Sequence, residues 1–285
     1  MNGSGILYLV ATPIGNLEDI TMRAVRILQE VDLIAAEDTR HTLKLLNHFE
    51  IKKPMVSYYE HNKLEKGNVL INQLLEGKNI ALVSDAGSPG ISDPGEDLVR
   101  LAIEHGINVT MAPGPSAVVM GLVLSGFPTG RFAFEGFLSI NKKNRAARLN
   151  SLKEETRTMV FYEAPHKLLQ TLKDMYAILG NRHIALAREL TKKFEEIRRC
   201  TLEEAMARYE SESPRGEFVL VVEGIDESSV NEAVRKNWGE LSLGEHLDFH
   251  MQSGMDKKQA MKKVAEDRGL SKRDVYNALL EDDAK

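Results

Sequence analysis

The first half of the chain alternates between short apolar runs and segments whose apolar residues recur at helical spacing. The apolar runs predict five strands, over residues 6–11, 33–36, 55–58, 80–83 and 108–111. Helices are predicted between them, as over residues 17–28, where Ile20, Ala24 and Ile27 share one face. Repeated strand–helix alternation is typical of a mostly parallel sheet with helices on its faces, so the predicted fold class is α/β.

A segment rich in glycine and proline, residues 126–130, interrupts this alternation and predicts a domain linker. Beyond it, strands are predicted over residues 131–135, 158–163, 184–188, 194–200 and 217–223. The pattern indicates a second α/β domain with more antiparallel character. From residue 228 it is helical only, and two short helices joined by Gly269-Leu270-Ser271 resemble a small helix-turn-helix. The expected domains are residues 1–126, 127–227 and 228–285.

Bulk composition restricts the classes of function. The 285 residues carry a formal net charge of −5, which argues against general coating of nucleic acid but allows a local basic face. The single cysteine, Cys200, excludes an internal disulfide framework and suits a reducing cytoplasm. No apolar run approaches a membrane span, and residues 1–5 lack the basic start of a signal peptide. We therefore expect a cytoplasmic protein without a membrane partner.

A loop of twelve residues, 84–95, follows the predicted strand 80–83 and is rich in glycine, proline and serine. Asp93 is predicted to cap the next helix, with Pro94 as its first residue. As structure alone, the loop would be a well-made turn between strand and helix. Its length and the carboxylate of Asp85 at the strand tip favour a ligand loop, because open α/β sheets bind ligands at the carboxyl ends of their strands.

Two further loops lie at strand tips in the same half of the chain, over residues 12–16 and 112–117. In a parallel sheet these loops and the Asp85 loop converge on one edge, which predicts a preformed crevice for a small cofactor. The glycine patterns of dinucleotide-binding and P-loop proteins are absent from these turns. The eight histidines are scattered and the cysteine is alone, so no metal site is expected.

An acidic segment, Glu37-Asp38 followed by Thr39-Arg40, comes after the second predicted strand. As structure, Asp38 or Thr39 would cap the following helix. As function, the two carboxylates would orient or deprotonate a hydroxyl, and Arg40 would contact a phosphate. Further candidates for the base, all at or near strand tips, are Glu163, His41 and His61.

A basic cluster, Lys142, Lys143, Arg145 and Arg148, puts four positive charges into seven residues. Most such runs are solvated helix faces. Here more lysines and arginines lie on neighbouring predicted strands and in the tail, and a local basic surface on an acidic chain fits contact with RNA phosphates. We therefore interpret the cluster as an RNA-binding surface.

Several of these segments together resemble the tetrapyrrole-methylase family, and specifically its branch that methylates small-subunit ribosomal RNA. The segments are residues 10–17, 36–40, 84–95, 112–117, 161–166 and 187–192, and the resemblance runs from about residue 6 to residue 224. It implies two α/β domains with S-adenosylmethionine in the cleft between them, and a homodimer. The implied reaction is methylation of a cytidine ribose 2′-hydroxyl in the decoding region, with ribosomal RNA or the small ribosomal subunit as partner.

The resemblance also implies which positions contact the cofactor. They are Pro13, Ile14, Asp85, Gly87, Ser88, Ser116 and Ala117 in the first half of the chain, and Phe161, Tyr162, Gly216 and Glu217 in the second. The chain departs from the porphyrin-modifying branch at Thr12-Pro13 and at Ser84-Asp85-Ala86, where that branch has glycine-rich sequence and Gly-Asp-Pro.

Methyl transfer from a sulfonium is an in-line displacement whose rate depends on holding the reacting atoms in line, and it needs no metal. A ribose hydroxyl is a poor nucleophile at neutral pH, so a nearby base is expected, with Glu37 and Asp38 as first candidates and Arg40 beside them. Two alternatives stay open from the sequence. One is a tetrapyrrole C-methyltransferase of the cobalamin or sirohaem pathways, and the other is a non-catalytic RNA-binding assembly protein.

Overall fold

A computed structural model describes residues 3–226, residue 238 and residues 241–282. The described residues form two compact units, one from residues 3–153 and 158–223 and one from residues 154–157, 224–226, 238 and 241–282. The first unit contains both sheets. The domain boundaries expected at residues 126 and 227 stay a prediction, and residues 228–237, 239–240 and 283–285 of the expected tail lie outside the described residues.

The first sheet has five parallel strands, as the alternation predicted. They are β1 (Ile6–Val10), β2 (Leu33–Ala36), β3 (Met55–Ser57), β4 (Ile80–Val83) and β5 (Asn108–Ala112), in the order β3-β2-β4-β1-β5. The helices between and after them are α1 (Met22–Glu30), α2 (Thr39–His48), α3 (Lys63–Leu75), α4 (Glu96–Glu104) and α5 (Ala117–Ser125). Apolar clusters fill both faces of the sheet, so β4 is buried along its whole length.

Two helix starts differ from the sequence prediction. The helix expected over residues 17–28 is divided, because Thr21 accepts a hydrogen bond from the Ala24 amide and starts α1 anew at Met22 after a short 3₁₀ turn. Helix α4 begins at Glu96, with Gly95 as its N-cap and no side-chain cap, so the predicted capping role of Asp93 is wrong. Instead, the backbone of Gly95 packs closely against the backbone of Gly90, where a β-carbon on Gly95 would lie 3.0 Å from the Gly90 nitrogen.

The second sheet is mixed and follows the first in the same unit. Its strands are β6 (Phe132–Phe137), β7 (Thr158–Glu163), β8 (His183–Arg188), β9 (Glu196–Thr201) and β10 (Phe218–Val222), in the order β6-β7-β10-β8-β9. Only β6 and β7 pair in parallel, which confirms the predicted antiparallel character. One face packs on α6 (Lys142–Ser151), α7 (Pro165–Leu179) and α8 (Leu202–Ser211), and the other face packs on α5.

Helix α5 fixes the second sheet against the first half of the unit. It follows β5 directly, and its Val118 and Leu122 are buried against Val160, Val219 and other residues of the second sheet. At Gly121 the approach is so close that a β-carbon would lie 2.7 Å from Cγ1 of Val219. This contact brings the loops at the ends of the first sheet to the second sheet.

The described residues of the second unit form three helices, α9 (Leu243–Gln252), α10 (Lys257–Arg268) and α11 (Lys272–Asp282). Leu247, Ala260, Val264 and Val275 form its small core. Gly269 adopts a left-handed φ of +66° and ends α10, as the predicted Gly-Leu-Ser turn requires. Within the described ranges, no helix combines the length and apolar character of a membrane span.

Candidate functional site

The loops after β1 and β4 are tied together at the carboxyl edge of the first sheet. Thr12 and Gly87 exchange two backbone hydrogen bonds, with N–O distances of 2.9 and 3.0 Å. The Thr12 hydroxyl also donates to the Ser84 carbonyl, with an oxygen–oxygen distance of 3.1 Å. The loops after β1 and β4 thus meet at one edge of the sheet, as predicted. We call the hydrogen-bonded backbone of Thr12 and Gly87 the partition, because a cavity lies on each side of it.

A cavity of about 420 Å³ lies between these loops and the second sheet. Seven of the residues expected to contact a cofactor line it: Ile14, Gly87, Ser88, Ser116, Ala117, Tyr162 and Glu217. Its apolar wall comes from Leu190, Phe218 and Val219 among others. The volume is within the range of small-molecule sites, roughly 300–1,000 Å³. We refer to this space as the larger cavity.

Tyr162 brings an aromatic ring and a phenol to the larger cavity. Its ring packs against Phe134 and Phe137, with centroid distances of 5.1 and 5.4 Å. Burial raises the pKa of the Tyr162 phenol to about 12. The phenol therefore stays protonated at neutral pH and serves as a hydrogen-bond donor.

Asp93, which the sequence analysis assigned to a helix cap, also lines the larger cavity. Burial raises the pKa of its carboxyl to about 6, and the nearby charges of Glu37 and Asp85 add to the effect. Burial, followed by the charge of Asp85, likewise raises the pKa of Glu37. Three carboxylates thus influence one another at this edge of the sheet, and the one that lines the larger cavity, Asp93, has its pKa raised to about 6.

Asp38 and Arg40 are engaged with each other. Asp38 Oδ1 accepts from the Arg40 amide at 2.8 Å and caps α2, and Asp38 Oδ2 lies 2.7 Å from the Arg40 guanidinium. These hydrogen bonds hold the pKa of Asp38 well below its usual range. A carboxylate of such low basicity is a poor proton acceptor, so the geometry fits the capping alternative for Asp38.

The structure also argues against the other candidate bases, Glu163, His41 and His61. Glu163 is buried, and its two oxygens accept from the Thr171 hydroxyl at 2.5 Å and from the Ala164 amide at 2.8 Å, where α7 begins. His41 is exposed at the start of α2, and His61 packs edge-on against Tyr59. Neither imidazole lines the larger cavity.

Four of the expected cofactor contacts lie elsewhere. Pro13 and Asp85 line a second cavity of about 220 Å³, which also includes Thr12, Leu17, His41, Thr42, Lys44, Leu45 and Ser84. We call it the smaller cavity. Phe161 is fully buried on the opposite face of the second sheet, in the core beneath α6–α8. Gly216 has a left-handed φ of +81°, and a β-carbon there would lie 2.4 Å from Cγ of Glu189.

Lys192 is a lining residue of the larger cavity that the sequence analysis did not single out for this site. Its Nζ lies 2.9 Å from Oε1 of Glu189 and 2.7 Å from Oε2 of Glu217. Glu189 and Thr191 adopt left-handed φ values of +51° and +68°, which non-glycine residues rarely do. A strained loop after β8 therefore presents Lys192 to the cavity, and such strain accumulates at functional sites.

The predicted RNA-binding cluster lies on α6, and two of its four side chains are already paired with acidic residues. Lys142 and Lys143 are exposed. Arg145 is largely buried and bonds Asp174 through its Nε at 2.6 Å, and Arg148 pairs with Glu135 at 2.6 Å. The two lysines are thus the members of the cluster whose charges face solvent without an acidic partner among the described residues.

Two histidines and an aspartate in the second unit lie as close together as the ligands of a metal ion do. His246, His250 and Asp267 place ligand atoms within 4.8 Å of one another. However, Arg268 Nε donates to Nδ1 of His246 at 3.1 Å, which leaves the proton of the neutral ring on Nε2. A protonated Nε2 cannot bind a metal, so the arrangement fits a hydrogen-bonded network, and Trp238 stacks on His246 with ring centroids 3.8 Å apart.

The sequence of the chain is similar to those of a known protein family and of individual known proteins. The family described as Tetrapyrrole (Corrin/Porphyrin) Methylases matches residues 6–206. Ribosomal RNA small subunit methyltransferase I of Halalkalibacterium halodurans is 54% identical over 273 residues, which cover 96% of this chain and 94% of that protein. The protein of the same name from Bacillus subtilis is 49% identical, with coverage of 96% and 94%.

Solved structures share the fold at lower identity. Uroporphyrin-III C-methyl transferase of Thermus thermophilus, complexed with S-adenyl homocysteine, superimposes with a TM-score of 0.53. It is 22% identical, and the match covers 76% of this chain and 97% of that one. This likeness confirms the arrangement of the two α/β sheets and carries no information on substrate.

Proposed function

Because the chain belongs to the tetrapyrrole methylase family, and within it to the ribosomal RNA small subunit methyltransferase I group, we propose that it methylates a cytidine 2′-hydroxyl in the decoding region of that RNA. The methyl donor is S-adenosylmethionine. The observation that carries this proposal is identity of 54% with a ribosomal RNA methyltransferase over nearly the full length of both chains. The uroporphyrin-III C-methyl transferase of known structure described above is only 22% identical to this chain, so the RNA branch is favoured over the tetrapyrrole alternative.

The larger cavity fits the cofactor in size and chemistry. Leu190, Phe218 and Val219 offer an apolar wall suited to the adenine, and the hydroxyls of Ser88 and Ser116 suit the ribose. The lining includes three carboxylates, Asp93, Glu163 and Glu217, against the single cation of Lys192. A wall of net negative charge favours a sulfonium cation. These residues would hold S-adenosylmethionine, which supplies an electrophilic methyl group.

Asp93 would accept the proton of the ribose hydroxyl. It faces the larger cavity, whereas Asp38 caps α2 and Glu163 is closed off by two hydrogen bonds. A pKa of about 6 leaves Asp93 ionised at neutral pH yet more basic than an ordinary carboxylate, which suits a general base. Glu37 would act as a positioning residue, because its charge helps to raise the pKa of Asp93.

The enzyme would act as a homodimer in the cytoplasm, where its ribosomal substrate is made. In support of a dimer, Val119 and Val123 are 52% and 62% exposed on α5, the helix that joins the two halves of the unit. The two valines lie one turn apart on the same helix, so together they offer a contiguous apolar surface to a partner.

The proposed function is tested by ribose-methylation mapping. Small ribosomal subunits from cells that lack the gene are incubated with the protein and S-adenosylmethionine, and the RNA is then digested and sequenced by mass spectrometry. We expect one new 2′-O-methylcytidine in the decoding region. Bare ribosomal RNA in a parallel reaction identifies the preferred form of the substrate. Absence of RNA methylation with both substrates would overturn the proposal and favour a non-catalytic assembly role.

A further inference from the structure

The smaller cavity shares a wall with the larger one. Pro13 lines the smaller cavity and the next residue, Ile14, lines the larger one. In the second loop, Asp85 lines the smaller cavity, and Ala86 and Gly87 line the larger one. The backbone hydrogen bonds between Thr12 and Gly87 join these two loops into the partition. A ligand in the smaller cavity would therefore lie beside the cofactor space, with backbone between them.

The smaller cavity has an apolar floor and a polar rim. Leu17 is 40% exposed and Leu45 is buried, so the floor offers apolar surface to a flat ring. The polar lining includes the exposed side chains of His41 and Lys44 and the half-buried carboxylate of Asp85. An apolar surface with a few polar groups at its edge is the usual chemistry of a site for a nucleobase or a similar ring. An exposed imidazole adds a stacking surface for an unpaired base.

The charges at the rim are available to a ligand. In the described part of the chain, Lys44 forms no ion pair with an acidic side chain. Arg40, close by at the start of α2, is 89% exposed at its side chain, although it pairs with Asp38. A lysine without an acidic partner, beside an apolar floor, is suited to a phosphate that is linked to a ring.

From this arrangement we propose that the smaller cavity binds a nucleotide of the RNA strand next to the methylated ribose. Its base lies against Leu17 and His41, and its phosphate lies at Lys44. The proposal rests on the proposed function, since only an RNA substrate would thread past both cavities. The partition keeps this neighbour out of the cofactor space, so the smaller cavity would set the register of the strand while the reacting ribose enters the larger cavity.

The phosphate contact is tested with a matched pair of lysines. Lys44→Ala removes the rim charge. Lys52→Ala removes another exposed charge, from the loop before β3 at the amino ends of the strands, away from the smaller cavity. Binding of a short decoding-region RNA is measured against salt for both variants. For single strands, loss of one phosphate contact lowers the slope of log K against log salt by about 0.7. We expect this change in Lys44→Ala only, and equal slopes in both variants would overturn the phosphate assignment.

The base contact is tested by combining a protein change with an RNA change. An abasic nucleotide beside the target cytidine removes the stacking group, and His41→Ala removes its partner. Each change alone is expected to weaken RNA binding by roughly 5- to 150-fold, the scale of one stacked base. Together they are expected to cost no more than one alone. Additive losses, or an unchanged affinity in His41→Ala, would overturn the base assignment.

The same experiments separate this inference from the proposed function. The parent protein is assayed for RNA methylation in parallel, and cofactor affinity is measured by calorimetry for every variant. If the parent methylates RNA and the smaller-cavity variants bind it normally, the inference fails while the function stands. If the parent does not methylate RNA at all, the proposed function fails first, and the inference fails with it.

Discussion

The side chain of Lys192 lies directly against Gly15. A β-carbon on residue 15 would lie 2.4 Å from Cγ of Lys192, and Gly15 itself has a φ of +154°. Through this contact the loop after β1 in the first sheet meets the strained loop after β8 in the second. The two loops can approach this closely only because residue 15 has no side chain, and both contribute lining residues, Ile14 and Lys192, to the larger cavity.

Gly15→Ala is expected to disturb both loops, because Lys192 is held by Glu189 and Glu217 and cannot swing away freely. Overpacking of this kind typically lowers the free energy of unfolding by about 1–3 kcal/mol. Since Ile14 lines the larger cavity, cofactor affinity should fall as well. Thermal melts and calorimetry with S-adenosylmethionine measure both effects. Gly130→Ala, where no atom lies within 4 Å of an added β-carbon, is the control and should change neither quantity.

Asp93→Asn is expected to lower kcat by about two to four orders of magnitude, the usual contribution of a general base, while cofactor affinity is retained. In the parent enzyme, kcat should rise with pH as the Asp93 carboxyl, of pKa about 6, loses its proton. Single-turnover methylation across this pH range measures the rise. A normal kcat in Asp93→Asn would remove Asp93 from the proton transfer.

Glu37→Gln tests whether Glu37 influences the proton transfer to Asp93. The charge of Glu37 helps to raise the pKa of Asp93, so its removal should move the acid limb of the pH–rate profile to lower pH. A purely structural role for Glu37 would change kcat or stability without moving that midpoint. Asp38→Ala is the contrasting variant: it removes the oxygen that caps α2, so it should cost on the order of 1 kcal/mol of stability with turnover nearly intact.

The basic cluster on α6 is expected to divide into two roles. Changing Lys142 and Lys143 together to alanine should weaken RNA binding and flatten its salt dependence, with little effect on stability. Arg145→Ala should instead lower the free energy of unfolding by about 1–3 kcal/mol, because it leaves the largely buried Asp174 without its charged partner. Salt titrations of RNA binding and denaturant melts distinguish the two classes. Equal salt slopes in the double variant and the parent would return the lysines to an ordinary solvated helix face.

The second unit should lose stability in acid. Burial is the main cause that lowers the pKa of His246, with the charges of Arg268 and His250 adding to it, against the opposing effect of Asp267. The unfolded chain therefore binds a proton more readily than the folded unit, so stability is lost as pH falls below the ordinary histidine value of about 6.5. Hydrogen exchange of α9 and α10 in the full chain at pH 7.5 and 5.5 measures this loss. A His246→Gln variant whose exchange keeps the parent's pH dependence would contradict this origin.

The positions of the strand-tip loops could be predicted because they follow from strand–helix alternation alone. All five strands of the first sheet were found where their apolar runs indicated, and Thr12, Gly87 and Ser116 meet at one edge. The division of that edge into two cavities could not be predicted. It depends on the Thr12–Gly87 hydrogen bonds, which place Asp85 on one side of the partition and Ser88 on the other.

Asp93 shows why side-chain roles were harder to foresee than backbone positions. Aspartate before proline at a helix start is a common capping pattern, and the sequence gives no sign that Gly95 takes the cap instead. Arg145 and Phe161 show the same limit. The run of positive charges does not reveal that Arg145 pairs with Asp174. The family motif does not reveal that the Phe161 side chain faces the core. Such outcomes depend on contacts between residues that are distant in sequence.

The place of β10 in the second sheet has a consequence for synthesis of the protein. This strand comes after the other nine strands of the two described sheets, yet it lies at the centre of its own sheet and pairs with both β7 and β8. While the chain emerges from the ribosome, β7 and β8 can have no common partner until residues 218–222 are made. Phe218 and Val219 of this strand also line the larger cavity, so a nascent chain has no complete place for the methyl donor. Competence to modify ribosomal RNA thus begins only after most of the enzyme has been translated.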